Sequence, residues 1–120
     1  MIEKIIYDYL KSKTEIPVLM ELNGEYPEIK VPGNVRAFYL IEKTGSQENE
    51  HIITSTLAIQ SWSKSMYEAA KANDDMIRIL RKAIFLDDVT KVKLNSDYNF
   101  TDTRTKLYRY QAVFEITHYE

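Results

Sequence analysis

The chain has 120 residues, 44% of them hydrophobic, and its 16 Lys or Arg against 18 Asp or Glu leave a formal charge of −2. This length supports one compact domain burying roughly 65% of its unfolded surface, and the absence of cysteine excludes a disulfide framework, a thiolate zinc site and a cysteine nucleophile. The slight acidic balance argues against general nucleic-acid binding, which calls for a basic excess or stripe, and the apolar runs are far shorter than the roughly 18 residues that span a bilayer.

The opening Met1-Ile2-Glu3-Lys4 lacks the basic start and apolar core of a signal peptide, so a cytoplasmic protein is expected. Ile2, Ile5, Ile6, Tyr9 and Leu10 recur on one helix face and predict a short amphipathic helix over residues 2–12. After Pro17, the alternation of Val18, Met20 and Leu22 with Leu19 and Glu21 predicts a short strand. Asn23-Gly24, Pro27, Pro32 and Gly33 then mark a loop. Glu15, Glu21, Glu25 and Glu28 occur with no base among them before Lys30, so this loop is acidic. A solvated loop is the plain reading, although a patch of one sign also steers partners.

Residues 35–43 and 51–62 read as strands rich in β-branched and aromatic side chains. The polar connection Thr44-Gly45-Ser46-Gln47-Glu48-Asn49-Glu50 makes them a hairpin with a protruding tip, expected to order only on assembly. Ser65 and Glu68 have capping-box spacing, and Met66, Ala69, Ala70, Asn73, Met76, Ile77, Leu80, Ala83 and Ile84 share one face, which predicts a helix over residues 65–86. A strand over 89–94 follows, then the aromatic loop 95–104. In the closing strand Tyr108, Tyr110, Ala112, Phe114 and Ile116 share one face, and Arg109, Gln111, Glu115 and Thr117 the other. The expected fold is a single α+β domain over residues 1–120: a mixed or antiparallel sheet of four to five strands on two helices, in the order α-β-β-β-α-β-β.

Chemistry is poorly supplied. His51 and His118 lie 67 positions apart with no second His at ligand spacing. Asp97, Asn99 and Asp102 resemble the start of a calcium loop, but its turn Gly and closing Glu are missing, and Asx-turns explain them better. Ser46 and Ser61 lack a nucleophile elbow. Gly24, Gly33 and Gly45 are too scattered to cradle phosphates. No metal, cofactor or catalytic residue is expected. Nine tyrosines and one tryptophan are more than a small core needs, and surplus aromatics are enriched at protein interfaces. The residues expected to contact other subunits or partners are Glu25, Glu28, Gln47, Glu48, Asn49, Glu50, Trp62, Tyr98 and Phe100.

Nearly the whole chain resembles the tail-completion, or tail-terminator, proteins of long-tailed phages and prophages of Gram-positive bacteria. The resemblance is carried by the opening helix at Ile2 and Leu10, and by the strand at Phe38 and Lys43 running into Thr44-Gly45. It continues in Ile59-Gln60-Ser61-Trp62-Ser63 before Met66-Tyr67-Glu68-Ala69-Ala70, in Leu94-Asn95-Ser96-Asp97-Tyr98-Asn99-Phe100-Thr101-Asp102, and in Tyr108-Arg109-Tyr110-Gln111-Ala112-Val113-Phe114. It implies a structural virion protein without catalytic residues, forming a homo-hexameric ring at the top of the tail. Its implied partners are its own copies, the tail tube protein and a head-neck connector, with genomic DNA passing through the lumen unbound and no membrane. The implied location is the virion, and the host cytoplasm during assembly. Another neck protein of the same module has the same general character. The readings from other classes are a nucleic-acid-binding module on the aromatic sheet face and a small enzyme with an unrecognised carboxylate pair.

Overall fold

The computed structural model describes residues 1–21, 37–102 and 107–119. Helix α1 (Ile2–Lys13) buries Ile2, Ile6 and Leu10, spaced four apart on one stripe, while Lys4 and Asp8 pair at 2.7 Å on its wet side. Strand β1 (Val18–Leu19) pairs in parallel with β2 (Ala37–Asn49), which turns back antiparallel into β3 (Ile52–Ser63). Helix α2 (Met66–Arg81) continues as a 3-10 turn, Lys82–Phe85, before β4 (Val89–Asn99) and β5 (Tyr108–Tyr119). The strands form a five-stranded mixed sheet in the order β1-β2-β3-β5-β4. The α+β class, the sheet and the two helices agree with the sequence; several element bounds differ.

The strand register sorts the sheet into two faces. On one, Ile41, Ile59 and Ala112 align across β2, β3 and β5, and Leu57, Phe114 and Leu94 align across β3, β5 and β4. Both helices pack here, adding Ile6, Leu10, Ala72, Met76 and Leu80 to the main core. Two tyrosines fasten the packing: Tyr39 donates its hydroxyl hydrogen to Ala72 O at 2.7 Å and ties β2 to α2, and Tyr9 donates to Ile79 O at 2.9 Å and ties α1 to α2. Burial pushes both phenols above their ordinary pKa, and for Tyr39 the Asp75 charge adds to the effect.

Helix α2 begins where the sequence places it, with Ser65 Oγ accepting from the Glu68 backbone N–H at 3.3 Å. Its apolar stripe is buried through Ala69, Met76, Ile77, Leu80 and Ala83, whereas Met66 and Ile84 at the ends are exposed. Asn73 sits on this stripe because its amide donates to Asp97 Oδ1 at 2.6 Å, tying α2 to β4. The expected single helix over residues 65–86 instead tightens at Lys82 into the 3-10 turn.

Two segments expected as loops are strands. Residues 45–49 are ladder-paired in β2, opposite Ile52, Ile53, Thr54, Ser55 and Thr56 of β3, with Thr44 skipped at an irregularity between Lys43 and Gly45. Residues 95–99 likewise extend β4 along β5. The reason is the same in both: the neighbouring strand supplies the pairing, so polar residues extend without needing a buried face. The expected acidic loop at 23–34 lies outside the described residues.

Candidate functional site

Three surfaces stand out. The first is the distal β2–β3 ribbon. Every residue from 42 to 50 is exposed, so this half of β2 adds nothing to the core. A two-residue connection, Glu50-His51, closes it opposite the Asn49–Ile52 pair. Glu50 has φ 61°, and it is the one non-glycine residue with positive φ among those described. A positive φ at the first central position is the pattern of a type II′ turn, where glycine is preferred, so a glutamate there costs energy. No Lys or Arg occurs between Lys43 and Lys64, which leaves Glu48 and Glu50 as the charges of the tip. Ile52 and Tyr119, paired at the root of the turn, are both about half exposed.

The second surface is the sheet face opposite the helices. Phe38, Trp62 and Arg109 align across β2, β3 and β5, and the next rank is Leu40, Gln60, Gln111 and Tyr98. The Phe38 and Trp62 rings stack at 5.7 Å, with Leu107, Leu19 and Leu40 around them. Trp62 Nε1 donates to Gln60 Oε1 at 3.0 Å, Gln60 Nε2 to Gln111 Oε1 at 2.8 Å, and Gln111 Nε2 to Tyr98 Oη at 2.5 Å. Tyr98 meets Phe100 edge to face at 5.7 Å. The Arg109 guanidinium carbon lies 4.4 Å from the Phe100 ring centre and 4.9 Å from that of Trp62. The loop of contacts is closed.

The third surface is a groove of about 890 Å³ where the C-terminal ends of the two helices meet. Its walls are Tyr9, Lys13, Thr14, Asp75, Arg78, Ile79, Arg81, Lys82 and Phe85. Arg78 pairs with Asp75 across one turn of α2, while Lys13, Arg81 and Lys82 are exposed. The four cations against one carboxylate make the groove basic, and Phe85, 82% exposed, supplies an apolar rim. Basic residues in the last turn of each helix also suit the negative end of its dipole.

The residues expected at an interface divide among these places. Gln47, Glu48, Asn49 and Glu50 stand together on the ribbon, and Tyr98 and Phe100 are partly exposed at the β4 end of the open sheet face. Trp62 is fully buried; it supports that face from within and offers no ring surface to a partner. Glu25 and Glu28 lie outside the described residues. The basic groove escaped the sequence reading, because its walls come from two helix ends about 70 positions apart.

A buried serine–histidine pair escaped it too. Ser55 Oγ lies 2.8 Å from His118 Nε2, and Nδ1 lies 2.9 Å from Tyr119 O. The carbonyl can only accept, so Nδ1 carries a hydrogen, and in the neutral ring Nε2 accepts from the serine. Ser55 is fully buried and His118 nearly so, on the core side of the sheet, and a substrate cannot reach a nucleophile in that position. The pair pins β3 to β5. Among the described residues no three His, Asp or Glu side chains gather closely enough to share a metal ion, and no helix is long and apolar enough to cross a membrane.

Neither a protein-family model nor a curated protein matches the chain.

Proposed function

We propose that this protein is a structural subunit of the tail-completion, or terminator, class of long-tailed phages. In this reading it forms a six-membered ring on top of the tail tube, stops tube growth and joins the tail to the head-neck complex. The observation that supports it most is the distal ribbon: strand-paired, exposed from residue 42 to 50 and acidic at its tip. Pairing with β3 keeps this half of β2 extended, yet its side chains bury nothing in their own chain, so the surface they form is open to another chain. Ring subunits need two different, complementary surfaces on every copy, and the ribbon supplies one. Another connector of the same neck module would use such a ribbon in the same way.

The closed aromatic network weakens the nucleic-acid reading. A stacking platform of Tyr98, Phe100, Tyr108 and Tyr110 needs free ring faces on one side beside a basic groove; Tyr98 pairs with Gln111, so Tyr108 and Tyr110 alternate to the opposite face, and Phe100 is already met by the Tyr98 ring and by Arg109. In the assembled ring the lumen is neutral or acidic and passes DNA without holding it. Negative-stain imaging of the protein with tail tubes tests the assignment. Rings capping tubes of uniform length support it; tubes that lengthen unchecked with the protein present refute the terminator role, and rings bound only to isolated connectors favour another neck protein.

A further inference from the structure

We infer that the acidic ribbon tip of one copy docks in the basic groove between the helix ends of the next copy, and that this contact, repeated head to tail, closes the ring. The inference rests on the ring reading above and goes beyond it by naming the two surfaces that meet. Charge is the first argument. The tip carries Glu48 and Glu50 in a stretch with no Lys or Arg between positions 43 and 64, whereas Lys13, Arg81 and Lys82 are exposed around the groove. Opposed patches of this kind steer encounter and fix register, while like surfaces repel.

Apolar complementarity is the second. Ile52 and Tyr119 are exposed at the root of the tip by 45% and 53%, and Phe85 is exposed at the groove rim by 82%. Docking covers all three. A groove of about 890 Å³ is as large as the pockets that hold small-molecule ligands, roughly 300–1,000 Å³, and gives room for the side chains of the turn.

The turn is the third. Holding Glu50 at φ 61° is unfavourable where glycine would relax the backbone, and strain of this kind concentrates where a side chain is used. Both halves of the contact lie on one chain and differ from each other, so the association is heterologous and yields a ring when its rotation closes. This favours a second copy as the occupant over an unrelated acidic protein.

The absence of native cysteine gives a clean background for cross-linking. Asn49→Cys and Lys82→Cys variants, mixed under oxidising conditions, are expected to form a disulfide-linked pair in the mixture and none in either variant alone. In parallel, Glu48→Lys/Glu50→Lys and Arg81→Glu/Lys82→Glu should each weaken self-association, read by sedimentation, by about tenfold or more, and mixing the two should recover binding between them. All four positions are exposed, and unchanged melting curves show that folding is intact. If the native protein assembles but the cross-link is absent and charge reversal has no effect, the docking inference falls while the ring stands. If the groove variant loses binding to tail tubes yet self-associates normally, the groove serves another chain and the inference is overturned. If the native protein never self-associates, with or without tubes, both readings fail together.

Discussion

Tyr39 shows how one side chain ties packing to solution behaviour. Its hydroxyl is buried on Ala72 O, and its pKa is raised by burial and then by Asp75. An unfolded phenol releases its proton near pH 10, so above that pH the unfolded state binds fewer protons than the folded one. The stability from the neutral buried phenol is therefore fully present below about pH 10 and is lost as pH rises beyond it. Tyr9 is shifted in the same direction by burial and adds to the effect. Melting temperature should fall steeply above pH 10, and Tyr39→Phe should flatten that fall while costing about 1 kcal/mol at neutral pH for the lost hydrogen bond; an equally steep alkaline fall in the variant counts against this assignment. Trp62 gives a second test. Because it is fully buried beside Phe38, Trp62→Ala should cost about 3–5 kcal/mol of stability in the isolated chain, measured by chemical denaturation. A variant that melts normally but fails to assemble would restore Trp62 to the interface.

Among the elements, the ribbon tip and helix α2 make opposite demands on their sequences. Glu50→Gly relaxes the positive φ, partly offset by the greater freedom of glycine in the unfolded chain, and should raise stability by up to about 1 kcal/mol. The same change removes a tip carboxylate and should weaken assembly, a trade that thermal melting and sedimentation measure separately. In α2, Leu80 is fully buried, and Leu80→Ala should cost about 2–5 kcal/mol by denaturant titration. Helix α2 was legible in the sequence because its stripe repeats at helical spacing and Ser65 caps it. The inward face of β5 was legible for the matching reason, with Ala112, Phe114 and Ile116 alternating into the core. The ribbon was not. Gly45 to Asn49 bury neither face, so no alternation marks them, and they are extended only because β3 pairs with them. Nor do sequence patterns register contacts between distant positions: Ser55 meets His118 across two strands, and Lys13 approaches the end of α2 only after the helices pack. The surplus of aromatics was visible, but which of them would be buried was decided by the register that sets Trp62 between Phe38 and Arg109.

For the whole molecule, charge and topology bear on the same question. The first half of the chain holds six bases and nine acids, the second half ten bases and nine acids, and the structure concentrates part of this difference in an acidic ribbon and a basic groove. A ring of six subunits, each at −2, would repel phosphates over about 8 Å at physiological salt, which suits a channel that passes DNA without binding it. Titration with duplex DNA at that salt should show no tight binding; strong, salt-sensitive binding would contradict a passive lumen. Electron microscopy of the purified protein incubated with tail tubes decides whether this chain is the ring-forming terminator proposed above. Closed six-membered rings seated at tube ends are expected. Bare tube ends, with the protein remaining a 14.1 kDa monomer at every concentration tried, would contradict the proposal.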